Sequence, residues 1–306
     1  FTIHSNFSFV AQQWLTDIIF YLIYNKFNIY GIYIFILILN IIVVFLLYKL
    51  SLLINKGNKK IAILTTIIID VFYARLFLST RPQVFDIILL LLELYLLELF
   101  IKRNNKKYLI GLPIISLLMI NLHASVWPMI FVFLLPYYVG RINLKFTTKE
   151  NYKLKPLIIV TIIMFLFGFI NPYGIDAMTY LFNSYGIDKI DESINEMSPL
   201  TIKNGITIYI LILFIIITCI INKNKKNNLR YTLLLLGTTL LSLQHLKGEL
   251  FFLVSSVIIV NNNLKDIFHE ENKNSSTEIN KKIKIILLTI LCIITLISFK
   301  NKKYIK

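Results

Sequence analysis

Ten apolar stretches separated by short polar connections constrain this 306-residue chain more than any other feature. They fall at residues 31–54, 61–80, 84–101, 108–121, 124–140, 156–170, 205–221, 231–244, 249–260 and 283–299. Most approach the roughly 17–25 residues that a helix needs to cross a bilayer. The runs are continuous rather than alternating, so helices are expected and a membrane barrel is not. Apolar residues make up 57% of the chain, which agrees. The expected fold is an all-α polytopic membrane protein: one transmembrane domain over 1–306 with about ten transmembrane helices.

The connections sort by charge. Those at 55–60, 102–107, 141–155, 222–230 and 261–284 are rich in Lys and Arg. Between them come Arg81-Pro82-Gln83, Asn121-Leu122-His123, Asn171-Pro172-Tyr173-Gly174 and Gln244-His245-Leu246-Lys247-Gly248-Glu249. The positive-inside rule places the basic set in the cytoplasm and the motif set outside, in a multi-pass plasma-membrane protein. An outward-facing site is the economical reading.

A net charge of +16 could suggest nucleic acid, but position argues against it. Of the 32 basic residues, 22 flank the cytoplasmic ends of spans, Lys49 included, where they set topology and meet anionic lipid. Cys219 and Cys292 both fall inside apolar runs, with no metal spacing and no disulfide framework. Neither a cofactor signature nor a phosphate cradle is present. The chain opens on Phe1 without a signal peptide, so its own helices are expected to direct membrane entry. A further helix is expected upstream.

Residues 1–30 form an outer segment in this scheme. Trp14, Ile18, Tyr21, Leu22 and Asn25 recur at helical spacing, which predicts an amphipathic helix lying in the interface. Direct continuation into 31–54 as one long helix is the alternative. Residues 171–204 form an acidic outer loop, with a short helix expected at 175–182, and 261–282 a cytoplasmic loop. The runs at 108–121, 231–244 and 249–260 are short for a full crossing. Their tips, 121–123 and 244–249, are therefore expected below headgroup level, against protein or a water-filled cavity.

Several polar side chains could carry chemistry. Arg81 sits beside an irregular Pro-containing turn and could pair with a phosphate, or simply snorkel from a helix end. Arg75 is expected to pair with Asp86 across the hairpin. Asp70 and Glu93 lie in mid-run, where a carboxylate suggests a proton or ion path or a bond to a neighbouring helix. His123 follows Asn121 at a helix break, and Lys247 could neutralise a phosphate or pair with Glu249. The Asn171 motif reads as a helix terminator or as part of a site.

In order along the chain, Trp14-Leu15, Arg81-Pro82-Gln83, Asn121-Leu122-His123, Asn171-Pro172-Tyr173-Gly174 and Met197-Ser198-Pro199 resemble a family of bacterial polytopic proteins related to the GT-C membrane glycosyltransferases. That class includes the dolichyl- and polyprenyl-phosphate mannosyltransferases. Where such relatives commonly read His-Glu before the Trp, this chain has Gln12-Gln13, and Ala124 replaces the usual Gly after Asn-Leu-His. The resemblance implies transfer of a sugar from a polyprenyl-phosphate donor to an acceptor hydroxyl on the outer face. It implies a carboxylate as general base and cations on the departing phosphate. Arg81, His123 and Lys247 are expected near the phosphate, with Gln83, Asn121 and Tyr173 near the sugar or the loop scaffold. The main carboxylate is expected upstream of Phe1, and Asp17 is the candidate within the outer segment. Two other readings stand beside this one: a transporter or flippase of a lipid-linked or charged solute, suggested by Asp70 and Glu93, and a non-catalytic GT-C-like protein, suggested by Gln12-Gln13.

Overall fold

A computed structural model describes residues 9–142, 147–148, 150–184, 195–221 and 228–269. Every regular helical or strand element among them is an α- or 3-10 helix. In order these are α1 (Trp14–Ile54), α2 (Lys59–Phe77), α3 (Gln83–Arg103), α4 (Gly111–Leu122), α5 (Pro128–Val139), α6 (Leu154–Phe167), α7 (Ile175–Ser184), α8 (Ile206–Ile221), α9 (Leu229–Gln244) and α10 (Glu249–His269). Short 3-10 turns at Lys106–Ile110, Ala124–Val126, Asn195–Met197 and Leu246–Gly248 join them. A helix occupies each apolar run except 283–299, which lies outside the described residues, and α7 covers the short helix expected at 175–182.

Local chemistry explains the boundaries. Asn58 caps α2, accepting from the Ile61 amide at 3.2 Å, and Asn228 caps α9, accepting from the Arg230 amide at 3.1 Å. Asn104 ends α3 in the left-handed conformation (φ 48°), and Asn105 then caps the following turn. Pro128 opens α5, where its missing N–H costs nothing.

The N-terminal helix joins the two arrangements expected for it. Trp14 to Ile54 is continuous, yet Asn28 is non-helical (φ 52°, ψ −158°), so the segments on either side are separate rods without a loop between them. Gly31 permits the bend, because a Cβ there would lie 2.3 Å from Phe27 Cβ. The face marked by Ile18, Tyr21 and Leu22 points away from the protein and is exposed.

The last described helix corrects the expected boundary at Val260 and the assignment of 261–269 to a loop. α10 runs 21 residues to His269, and Asn261, Asn262 and Asn263 are buried. Asn261 donates to Ser51 Oγ (2.9 Å) and accepts from Thr65 Oγ1 (3.1 Å) and Asn55 Nδ2 (3.2 Å). Asn263 donates to Thr218 Oγ1 at 3.0 Å. Polar side chains glue helices where apolar contact is indiscriminate, so three asparagines extend this helix rather than end it.

The helices place the two sets of connections at opposite ends. At the basic end Lys102 donates to Leu53 O (2.6 Å), and Arg230 meets Glu98 (3.1 Å) and Glu150 (2.6 Å). At the motif end Ala124 N bonds Gln12 O (2.7 Å) and Leu246 N bonds Ser198 O (3.0 Å). The 21 residues of α3 separate the ends by about 30 Å.

Much apolar surface remains uncovered: Ile34, Leu37 and Ile41 on α1, Ile63 and Ile67 on α2, Ile158 and Ile162 on α6, Leu236 and Leu240 on α9. Among the described residues α1 alone is long and apolar enough to cross a bilayer by itself. Shorter apolar stretches lie at Ala124–Val139, Leu154–Phe167 and Ile208–Cys219.

Packing is close where α6 ends. Trp127 donates to Ser116 Oγ (2.8 Å), and Ser116 donates to Met164 O (2.7 Å). A Cβ on Gly168 would sit 2.4 Å from Trp127 Cζ2. Gly168→Ala is therefore expected to cost about 1–3 kcal/mol, read as a lowered thermal midpoint.

Candidate functional site

A cavity of about 240 Å³ opens at the motif end. Its wall includes Gln12, Gln13, Thr16 and Asp17 around the start of α1, Arg81 and Gln83 from the α2–α3 turn, His123, Glu196 and Lys247. Five of the seven site residues expected from sequence meet here: Asp17, Arg81, Gln83, His123 and Lys247.

Most have a traceable partner. His123 ends α4 in an extended conformation (φ −157°), and its Nδ1–H donates to Asp86 Oδ2 at 2.6 Å. The two side chains are 4% and 0% exposed. Asp86 thus turns inward to His123, where the sequence suggested Arg75. Arg81 pairs with Glu196 at the mouth, both groups being well exposed. Gln13 donates to Asp17 at 3.2 Å, which orients a carboxylate on the wall. Gln12 and Gln83 each bring a buried side-chain oxygen that has no hydrogen-bond partner among the described residues.

Lys247 sits on the 3-10 turn between α9 and α10. Burial pulls its ammonium below the ordinary lysine range, against the opposing pull of Asp86 and then Glu196. Glu249, the alternative partner expected for this lysine, keeps one carboxylate oxygen buried without a hydrogen bond among the described residues.

The other two expected residues, Asn121 and Tyr173, do not line this cavity and stand on the scaffold side of the alternative given for them. Asn121 accepts from Trp14 Nε1 (3.2 Å) and donates to Leu117 O (2.8 Å) and Ile170 O (2.9 Å). Tyr173 packs on the core, its amide held by Asn171 Oδ1 at 2.8 Å. Asn171 also donates to Gly168 O and Gly174 O, and Gly174 takes φ 55°, so the Asn-Pro-Tyr-Gly motif closes α6.

Glu196 and the role of Asp86 were not apparent from sequence. The signal for Glu196 was the neighbouring Met-Ser-Pro segment: Met197 O accepts from His245 Nδ1 at 2.7 Å, and Leu200 N bonds Leu243 O at 3.1 Å. These bonds lay that segment along the Lys247 turn and deliver Glu196 to Arg81. Asp188, Asp191 and Glu192 of the acidic loop lie outside the described residues.

A second cavity, about 310 Å³, adjoins the same lysine. Val126, Met129, Leu181, Phe182, Leu241 and Phe251 make it apolar, and Lys247 belongs to both walls. Among the described residues no three His, Cys, Asp or Glu side chains could hold a metal ion. No family model, curated protein or solved structure matches this chain.

His123→Ala would leave the Asp86 carboxylate buried without its donor, and a loss of about 3 kcal/mol in unfolding free energy is expected. His123→Ala with Asp86→Asn should recover most of it in the same unfolding assay.

Proposed function

We propose that this chain is a polytopic protein of a bacterial plasma membrane that transfers a sugar from a polyprenyl-phosphate donor to an acceptor on the outer face. Uncovered apolar surface on α1, α2, α6 and α9 supports the bilayer, since a water-soluble protein rarely leaves so much. The observation that carries the substrate class is Lys247, shared by a polar cavity and an apolar one. An amphiphilic phosphate fits that junction, with its charged head toward Arg81, His123 and Lys247 and its chain among Val126, Met129 and Phe182.

The chemistry follows from the same wall. The acceptor oxygen bonds to the anomeric carbon as the bond to the phosphate oxygen breaks. The acceptor proton passes to a carboxylate, for which Asp17 is suited because Glu196 is engaged by Arg81. Arg81 and Lys247 offset charge growing on the departing phosphate.

The test is transfer of labelled mannose from a polyprenyl-phosphate donor by the full chain in proteoliposomes. Asp17→Asn and Lys247→Gln should each abolish most release of polyprenyl phosphate. Donor binding without transfer would favour the non-catalytic reading, and absence of donor binding would end the proposal.

Transport of a charged solute is favoured by one observation. Glu93 is fully buried, and neither carboxylate oxygen has a hydrogen-bond partner among the described residues. Such a group in mid-helix is a candidate proton carrier. Glu93→Gln that removes proton-coupled uptake while sparing sugar transfer would support this second reading.

A further inference from the structure

A cavity of about 980 Å³, larger than either at the motif end, opens at the basic end. It is a groove that runs from the Lys106–Ile110 turn and the start of α4 along α6 to Phe167, lined by Ile110, Ile114, Ile159 and Ile163. All four isoleucines are exposed, so the floor of the groove faces whatever surrounds the protein. Lys106, Lys153 and Lys155 stand at its mouth, and among the described residues no carboxylate lines it.

We infer that this groove seats one anionic phospholipid from the leaflet on the basic side. The inference rests on the bilayer reading above but not on sugar transfer. Three ammonium groups beside an apolar trough match a phosphate joined to hydrocarbon, the lysines meeting the headgroup and the isoleucines an acyl chain. The 14-residue helix α6 begins at this mouth, and its N-terminal amides add positive potential where the phosphate would sit. A free phosphate would use the lysines alone and leave the apolar floor unmatched.

The full chain is reconstituted in vesicles of equimolar phosphatidylglycerol and phosphatidylcholine, recovered by flotation, and its retained lipid counted by native mass spectrometry. The expected result is a roughly tenfold preference for phosphatidylglycerol. Lys106→Gln/Lys153→Gln/Lys155→Gln should bring it near unity, while Lys56→Gln/Lys59→Gln/Lys60→Gln leaves it intact. Ile159→Trp, which fills the trough without changing charge, should also abolish it, and helical circular dichroism shows whether each variant is folded. An unchanged ratio in the first triple variant, equal loss in both, or displacement of the lipid by inorganic phosphate would overturn the proposal. Flotation without any preference refutes the groove alone. Failure to float refutes the bilayer reading and the groove with it.

Discussion

Truncating Arg230 to alanine will lower the unfolding free energy by about 3–5 kcal/mol, the largest single-residue loss expected in this bundle. Its guanidinium is 1% exposed and lies 3.1 Å from Glu98 and 2.6 Å from Glu150. The rings of Tyr137 and Tyr231 stand 4.8 and 4.9 Å from it. Both tyrosine hydroxyls donate to Glu98, at 3.0 and 2.8 Å, and Asn228 donates to Glu150 at 2.6 Å. Helices α3, α5 and α9 and the segment before α6 therefore converge on one cation. Removing it leaves the buried Glu98 carboxylate facing two neutral donors, which cannot replace the lost charge. Arg230→Lys should recover little, because one ammonium cannot serve two carboxylates and two ring faces.

The double variant Arg230→Met/Glu98→Gln separates a charge effect from a packing effect. It should regain most of the loss in thermal unfolding followed by Trp fluorescence; a double variant as unstable as the single one would refute the charge argument. The pH dependence gives a second check. Burial raises the Glu150 carboxyl, against Arg230 and the Asn228 hydrogen bond, which hold it down. A raised carboxyl contributes stability that is present below its unfolded value and lost as pH rises through the folded one. Without Arg230 that rise is larger, so the deficit of Arg230→Ala should be greater at about pH 8 than at about pH 5.

On the proposed glycosyl transfer, Lys247→Gln is expected to reduce product formation about 100-fold while leaving the helical fold in place. The half-buried ammonium lies between the polar and apolar cavities, so its contribution to a phosphate departing there, as proposed, would be only partly screened. Arg81→Gln should cost less, because Arg81 is well exposed and already shared with Glu196. Since burial lowers Lys247, its charge is lost on raising pH before that of an ordinary lysine. Donor affinity should therefore fall with rising pH in the wild type and be flat over the same range in Lys247→Gln. Equal pH profiles would show that another group carries the charge.

What was legible in the sequence was what repeats locally. Continuous apolar runs marked nine of the described helices, and asparagine, proline and glycine marked their ends, because caps and breaks act within one turn. The alternation of basic and motif connections already separated two ends, since a chain that reverses at each connection must sort them so. Arg81, Gln83, His123 and Lys247 were visible as polar residues at those turns.

Only tertiary structure decided what each polar residue does. Sequence left Asn121 and Tyr173 open between sugar and scaffold; in the fold one bonds Trp14, 107 positions away, and the other packs on the core. Glu196 reaches Arg81 across 115 positions, and Arg230, one basic residue among many in sequence, is buried against Glu98 across 132. The triplet at Asn261 looked like a loop until Ser51, Thr65 and Thr218 supplied its hydrogen bonds. A side chain's partner at such separation leaves no periodic trace. In an interior of similar apolar helices, it is the matching of those few polar groups that selects one packing.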